Sequence, residues 1–521
     1  MSPAVLPGPA GGYLDASHRE RVLAGLASTR YDVVVVGGGV TGAGTALDAA
    51  SRGLRTLLVE RDDLANGTSR WSSKLVHGGV RYLAHGQVGV AWESARERHA
   101  LLTAIAPHLV HPVAFLVPLD PATPPVLGGV VAAGARAADV LRRAARTPTG
   151  LLPAPTRISA QDALVHAPCL RPDGLRGGVL SWDGRLEDDA RLVVALARTA
   201  AAHGADVLTR AAAADVGPDE LTVVVAGERV HVRCGAVVNA TGVWAGDHEP
   251  SLRMVPSRGS HLVLRAGSLG WPRAVVAVPV PGRVGRFVFA VPQPDGLVLL
   301  GLTDEEAPGE DPSAPAVPEH DEAFLLNTVN RALAVPVTAD DVVGRYAGLR
   351  PLVAGAGATT ADLSRRHLLV DRPGGPVTVT GGKLTTYRRM AEDAVDAVCR
   401  RTGHRVAGRT RTLPLVGAAP REVLARVRAP QRLVRRYGTE AVDVHALALR
   451  HPELAGPVAP GCPTSGAELL FGVLAEGALT VEDLLERRTR TGLVAGVPAV
   501  AAPVAEQALA LGRAGAVART G

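Results

Sequence analysis

Only two of the 56 basic residues in this 521-residue chain are lysines, Lys74 and Lys383. Arginine serves everywhere else. A guanidinium is a planar fork and an ammonium a compact point charge, so two retained lysines mark places where a point charge is needed and a fork does not fit. Both lie in dense Gly/Ser/Thr runs, Ser72-Ser73-Lys74 and Gly381-Gly382-Lys383-Leu384-Thr385. The other spacing with chemistry in it is GxGxxG, formed by Gly37, Gly39 and Gly42, with Val40 and Thr41 inside it. In such a motif the first glycine permits a tight turn and the second lets the backbone approach a pyrophosphate. The third lets a helix pack closely on its strand, so that helix N-terminal amides face the anion. Glu60, 18 residues beyond Gly42, is placed to accept from ribose hydroxyls. A carboxylate there argues against a 2′-phosphorylated nicotinamide cofactor, while FAD and NAD both remain open on this motif alone.

The elements around the motif are those it requires. Tyr31 to Val36 (YDVVVV) is a continuous apolar run, as expected of a parallel strand buried on both faces. A helical stretch follows to about Arg52, then a strand from Arg55 to Val59 that ends at Glu60. Farther on, Asp189 to Ala202 reads as a helix and Leu221 to Arg233 as a hairpin around Gly227-Glu228. Ala236 to Asn239 reads as a strand running into Ala240-Thr241-Gly242. His261 to Arg265 and Phe287 to Leu300 look antiparallel, the latter folded at Pro294-Asp295-Gly296. Thr303 to Glu319 is a Pro/Asp/Glu-rich loop; Val377 to Thr380 is a strand before Lys383, and a helix runs from about Thr385 to Arg401. Before the first strand lie a Pro/Gly tail and a short helix, Ala16 to Ala27; beyond Thr402 the pattern is helical and arginine-rich.

Composition narrows the function class. No stretch of about 18 apolar residues appears, so a spanning helix is not expected, and residues 1–30 lack the pattern of a secretory signal. The four cysteines, Cys169, Cys234, Cys399 and Cys462, are scattered without metal-ligand spacing, which fits reduced thiols and no metal site. A net charge of +6 favours anionic partners such as phosphate esters or anionic lipid. Nucleic acid is not expected, because aromatic residues make up only 3% of the chain and no basic run or reader motif is present. Val126 to Arg146 is Ala/Val-rich with four arginines, and reads either as a basic amphipathic surface for anionic lipid or as an ordinary helix.

The segment Gly67-Thr68-Ser69-Arg70-Trp71-Ser72-Ser73-Lys74-Leu75-Val76-His77-Gly78-Gly79-Val80-Arg81-Tyr82-Leu83 resembles the signature of FAD-dependent, respiratory glycerol-3-phosphate dehydrogenases. The likeness continues through Asp189-Ala190-Arg191, Asn239 to Trp244, Arg258-Gly259-Ser260-His261, Tyr346 to Leu352 and Gly381 to Arg388. It ends in Val481 to Arg490. The resemblance implies a mixed α/β fold: a Rossmann-like FAD-binding domain of D-amino-acid-oxidase type, an antiparallel β substrate cap and a helical C-terminal domain. The expected division is a tail and short helix over 1–30, an oxidoreductase domain over 31–400 and a helical domain over 401–521. Within the oxidoreductase domain the FAD-binding part would take 31–120, 155–250 and 340–400, and the cap 251–340 with 121–154.

By the same resemblance the cofactor is FAD. The reaction is oxidation of sn-glycerol 3-phosphate to dihydroxyacetone phosphate by hydride transfer to flavin, with electrons passed to a membrane quinone. The setting implied is peripheral, on the inner face of the cytoplasmic membrane, and a homodimer is allowed. Arg350 and Arg365 would clamp the substrate phosphate, with Arg81, Tyr82 and Thr303 near the same pocket. His261 is the expected base, since histidine titrates near neutrality. Lys383 would face flavin or substrate. The cofactor would further be met by Glu60, Arg61, Thr68, Ser69, Ser72, Ser73, Lys74, His77, Gly78, Gly79 and Leu83. Ala240, Thr241, Gly242, Gly382, Leu384 and Thr385 complete that set. Two departures from the family pattern stand out: Leu302 in place of a common threonine, and Phe471 where a tyrosine is frequent. Rival readings are a glycerol-3-phosphate oxidase using oxygen, an amine or hydroxy-acid oxidoreductase of the same superfamily, and a catalytically dead flavin-binding or lipid-surface adaptor.

Overall fold

Val33 to Val36 are almost fully buried in the strand Tyr31–Val36, which pairs in parallel with Thr56–Val59 on one side and Glu228–Asn239 on the other. Burial on both faces is what a continuous valine run specifies, and each such side chain contributes about 1.5–3 kcal/mol relative to exposure. The computed structural model describes residues 11–79, 86–121, 123–283, 285–354 and 367–520. Among these the sheet runs in the order His367–Val370, Val377–Gly381, Glu228–Asn239, Tyr31–Val36, Thr56–Val59, Asp206–Leu208. The helices Val40–Ser51, Asp189–Ala202 and Tyr387–Thr402 pack with it into one apolar core.

The strand Glu228–Asn239 serves two structures. Its first six residues pair antiparallel with Glu220–Val225, and Cys234 to Asn239 lie parallel to Tyr31–Val36. The hairpin turn falls at Ala226-Gly227, one residue earlier than the sequence suggests, with φ of 51° and 84°. Two successive left-handed residues match the twist of the flanking strands, which is why a glycine stands second.

A second sheet forms the cap. Its order is Glu305–Glu306, Ser257–Arg265, Leu297–Gly301, Phe287–Pro292, Val275–Pro279, Val110–Pro118, Gly178–Leu186, Leu75–Val76. Val342–Arg350 pairs with Ser257–Arg265, and Thr156–Ile158 with Gly178–Leu186. The expected turn at Pro294-Asp295-Gly296 joins two of these strands. The cap differs from expectation in two ways. One pair, Val275–Pro279 with Val110–Pro118, is parallel. Strands at 75–76, 110–118, 156–158, 178–186 and 342–350 also come from stretches allotted above to the FAD-binding part. Pairing partners lie far apart in the chain, so local pattern does not reveal which sheet a strand joins. The helix Glu319–Asn330 packs on the cap core.

The C-terminal helices Gln431–Tyr437, Ala441–Arg450, Gly466–Glu476 and Val497–Thr520 surround a third core. Phe471, the departure noted above, meets Tyr437 edge-on at 5.3 Å within it. This unit is joined to the rest by buried arginine–carboxylate pairs, among them Asp63 with Arg487 and Arg488, Arg436 with Asp188, and Arg191 with Glu476. The stretch Val126 to Arg146 falls on a single helix, Pro125–Ala144. No helix among the described residues is long and apolar enough to cross a membrane.

Candidate active site

Four parallel strands deliver their carboxyl ends to one place. Tyr31–Val36 ends at Gly37, Thr56–Val59 at Glu60, Glu228–Asn239 at Ala240-Thr241-Gly242, and Val377–Gly381 at Gly382-Lys383. Crevices at such ends are where open α/β sheets bind ligands. A cavity of about 1130 Å³ opens there and reaches across to the cap.

Its first portion is the dinucleotide cradle, walled by Gly37, Gly39, Val40, Thr41, Glu60, Arg61, Thr68 and Ser69. Gly42 does not line the cavity; a β-carbon there would lie 1.8 Å from the Gly37 carbonyl oxygen, so the helix can sit this close to the turn only with glycine. Ser69 Oγ accepts from the Val40 amide at 2.9 Å, which ties the loop after the second strand to the helix start. Glu60 Oε2 accepts from the Gly38 amide at 2.6 Å and Oε1 from the Asp62 amide at 2.8 Å. Burial raises the Glu60 carboxyl above its ordinary range, against the lowering effect of those two amides. The Arg61 guanidinium stacks 5.0 Å from the Trp244 ring, and both line the cradle.

The middle portion is bounded by Ser72, Ser73, His77, Ala240, Thr241, Gly242, Gly382, Lys383, Leu384 and Thr385. Asn239, buried at the strand end, shapes the Ala240 to Gly242 turn: its Oδ1 accepts from Thr241 Oγ1 at 2.7 Å and its Nδ2 donates to the Ala245 carbonyl at 2.9 Å. Lys383 Nζ donates to Ser94 Oγ at 2.7 Å. Asp183 and Arg98 form a buried pair at 2.7 Å on the same wall, and the Gly78 amide donates to both Asp183 oxygens.

On the cap side His261 and Arg350 stand on neighbouring strands. His261 faces Tyr346 across the pair and stacks on its ring at 4.7 Å, nearly parallel at 5°. His261 Nε2 is 2.8 Å from Ser73 Oγ. Burial, then the charges of Arg350 and Lys74, pull the imidazole down to about 3, so it is neutral at physiological pH. Arg350 Nη1 donates to the Arg258 carbonyl, Ser257 Oγ and Asp304 Oδ1 at 3.1–3.2 Å, and Nη2 donates to the Thr303 carbonyl at 2.9 Å.

Most expected residues therefore meet in one cavity, with a few placed differently. Lys74 is buried behind the wall; its ammonium donates to Asp189 Oδ1 at 2.6 Å instead of facing the cavity. The reason is electrostatic: a buried ammonium needs a carboxylate, and Asp189 is the one within reach. Gly78 and Gly79 lie outside the lining, Gly78 packed beneath the Arg98 guanidinium. Thr303 lines the cavity, but its hydroxyl joins Asp321 Oδ2 at 3.2 Å and the Ser260 amide at 2.9 Å. Arg81, Tyr82, Leu83 and Arg365 lie outside the described residues. Arg98, Asp183, Ser94 and Asp304 are not among the residues expected at the site. A carboxylate next to the signature's Thr303 was the available signal for Asp304; nothing local announces the others.

A cavity of this size, open at four strand ends and holding a helix N-terminus, a ribose-side carboxylate and glycine-lined backbone, fits a flavin dinucleotide. The "FAD dependent oxidoreductase" family matches residues 32–388, and the "C-terminal domain of alpha-glycerophosphate oxidase" family matches 408–510. "Glycerol-3-phosphate dehydrogenase 1" of Mycobacterium tuberculosis (strain ATCC 25618 / H37Rv) is 50% identical over 497 residues, covering 93% of this chain and 96% of the relative. The chain belongs to the glycerol-3-phosphate dehydrogenase family of FAD-dependent oxidoreductases. A glycerol-3-phosphate dehydrogenase of Synechocystis sp. (strain ATCC 27184 / PCC 6803 / Kazusa) is 32% identical over 511 residues, covering 90% of each chain. Among solved structures, the glycerol-3-phosphate dehydrogenase from Bacillus halodurans complexed with FAD superposes with a TM-score of 0.70 at 26% identity, covering 92% of this chain and 90% of that one. L-alpha-glycerophosphate oxidase from Mycoplasma pneumoniae shares the fold at a TM-score of 0.57 and 18% identity, over 74% of this chain and 99% of its own. The family's cofactor is FAD.

Proposed function

We propose that this protein oxidises sn-glycerol 3-phosphate to dihydroxyacetone phosphate and passes the electrons to a membrane quinone. The observation that carries the reading is a buried His261 on the strand next to that of Arg350, both lining the cavity that holds the dinucleotide cradle. FAD in that cradle supplies the acceptor for two electrons and the C2 hydrogen. Arg350 and Lys383 bring positive charge to a substrate that carries a phosphate dianion. His261 takes the hydroxyl proton. An imidazole held near 3, by burial first and then by Arg350 and Lys74, is a poor base on its own, but a dianion bound between Arg350 and Lys383 offsets the part of the depression that comes from those charges. The base therefore gains strength when substrate arrives, which is the condition for efficient proton transfer near neutral pH.

Two features support an apolar acceptor at a bilayer. The cavity is lined in addition by Leu127, Val130 and Val131 of the helix Pro125–Ala144 and by the rings of Phe115, Phe287 and Phe289. That helix also carries, off the cavity, Val126 and Val140, 79% and 64% exposed, flanked by Arg136 and Arg143. Exposed valines beside arginines suit an anionic lipid surface, with the helix as the wall between bilayer and cavity. All four cysteines are free thiols, in keeping with a site on the cytoplasmic side.

The test is an anaerobic titration of the yellow protein with sn-glycerol 3-phosphate, compared with phosphorylated and carboxylated alcohols. Bleaching of the flavin by the first alone is expected, and an unchanged spectrum rejects the substrate. Re-oxidation by a quinone analogue without peroxide is expected on mixing; stoichiometric peroxide with oxygen assigns an oxidase instead. Binding to anionic vesicles that is lost in Val126→Asp/Val140→Asp is the outcome expected for the helix; undiminished binding moves the contact elsewhere.

A further inference from the structure

Lys74 is one of two lysines in the chain, yet its ammonium reaches neither the cradle nor the substrate portion. It is 1% exposed, in the left-handed region at φ 56°, a conformation that a side-chain-bearing residue keeps only when its surroundings over-determine it. Those surroundings are explicit. Lys74 Nζ donates to Asp189 Oδ1 at 2.6 Å and to the Arg70 carbonyl at 2.5 Å. The other oxygen of Asp189 accepts from the Ser72 amide at 2.9 Å, and the Lys74 amide donates to Ser72 Oγ at 3.0 Å. Asp189 opens the helix Asp189–Ala202, where the helix dipole also favours its negative charge. The whole turn from Ser72 to Lys74 is thus pinned from behind by one buried ion pair.

What the pinned turn presents forward is Ser73, whose Oγ is 2.8 Å from His261 Nε2. The same turn holds the ring beneath the imidazole: Tyr346 donates its hydroxyl to the Ser72 carbonyl at 3.1 Å and stacks on His261. Trp71 also stacks on Tyr346, at 5.6 Å, and Lys74 Nζ lies 5.3 Å from the Tyr346 ring centre. Arginine would put a planar fork where a single ammonium now serves a carboxylate, a carbonyl and a ring, which accounts for a lysine surviving here.

We propose that Lys74 and Asp189 are positioning residues for His261, their ion pair fixing the Ser72–Ser73–Lys74 turn so that Ser73 and Tyr346 hold the imidazole in place. The inference rests on His261 being the base. It also assigns the lysine an electrostatic part. The groups around the imidazole are Arg350 and Tyr346 on one strand, Gly301 on the strand opposite, and Ser73 and Lys74 on the turn. Burial does most to keep His261 unprotonated, and of these groups Arg350 and then Lys74 carry the positive charges that add to it.

The experiment uses the full-length, FAD-loaded protein. Steady-state oxidation of sn-glycerol 3-phosphate with a soluble quinone analogue is followed from about pH 5 to 9 for Lys74→Met, Lys74→Arg and Ser73→Ala. In Lys74→Met the expected result is kcat reduced about tenfold or more, KM for glycerol phosphate little changed, and the acid limb of the profile moved to higher pH. Lys74→Arg retains a charge and loses the fit, so its kcat falls while the acid limb stays at the wild-type pH. Ser73→Ala removes a single hydroxyl and is expected to lower kcat with flavin content and Tm unaltered. If Lys74→Met does not fold, Ser73→Ala decides: wild-type kcat and profile overturn the proposal. A folded Lys74→Met with the wild-type acid limb overturns it as well. His261→Asn separates this from the reading beneath it. An acid limb that survives in His261→Asn removes the base assignment itself, whereas an inactive His261→Asn beside wild-type-like Lys74→Met and Ser73→Ala removes only the positioning pair.

Discussion

Asp63 receives both terminal nitrogens of Arg488, Nη1 at 2.7 Å and Nη2 at 2.9 Å, across the seam between the dinucleotide sheet and the C-terminal helices. Arg487 Nε reaches the same carboxylate at 2.8 Å. Burial pushes the Asp63 carboxyl up, but Arg488 and then Arg487 outweigh it and hold it below the usual range. All three side chains are 1% exposed, so the seam has no water to replace a missing partner. Asp63→Ala should therefore cost about 3–5 kcal/mol, because the buried Arg488 guanidinium loses its paired carboxylate, while Arg487 keeps Asp483 and Glu482. Urea denaturation with and without added FAD measures it; a loss under about 1 kcal/mol would show that the seam relaxes around the change.

Arg350 carries a second consequence through Asp304, which accepts from it at 3.2 Å. Arg350→Ala removes a charge-assisted contact of about 1.5–3 kcal/mol to the substrate, roughly ten- to hundredfold in kcat/KM. It also leaves the Asp304 carboxylate facing an incoming phosphate. The expected loss should be partly relieved in Arg350→Ala/Asp304→Asn. Equal kcat/KM in the single and double variants would show that Asp304 does not repel the substrate.

Lys383 poses the complementary case, an ammonium on the cavity wall that donates to Ser94 Oγ. Lys383→Arg should lower kcat with flavin content preserved, since the fork does not reproduce a point charge on this wall. Ser94→Ala should have a smaller effect in the same direction. Full turnover in Lys383→Arg rejects a geometric requirement for lysine.

Acid should destabilise the fold early. His108, 2% exposed, is pulled down to about 3 by burial, then by Arg191 and His111, much as His261 is. Its folded value lies below the unfolded one of about 6.5, so the unfolded chain binds more protons between those limits. Stability is then full above about pH 6.5 and falls as pH drops toward 3, by up to ~1.4 kcal/mol per pH unit for each such histidine. Denaturation midpoints at several pH values should fall less steeply in His108→Gln; an identical slope would exclude His108.

Much of the cradle was legible because its signals are local. Gly37 to Gly42, the valine run before them and Glu60 after them lie within one βαβ unit, where spacing along the chain sets spacing in space. The economy of lysine was equally readable, since composition alone shows that Lys74 and Lys383 are exceptions. Their fates were not. One ammonium meets Asp189, 115 residues away, behind the wall, and the other faces the cavity. The helix Pro125–Ala144 shows the same boundary: periodicity predicts it, but only its packing against Val179 reveals that the valine face points outward.

The strand–helix–strand start of the dinucleotide unit and its fitness for a dinucleotide were written in residues close together in the chain. Which strands build the cap, which carboxylate neutralises which cation, and that His261 rests on Tyr346 beside Ser73 were settled only in three dimensions. The reason is physical. Hydrogen-bonded turns and apolar periodicity act over a few residues, whereas the pairing of a buried charge or ring is chosen by whatever the completed packing brings within a few ångströms of it.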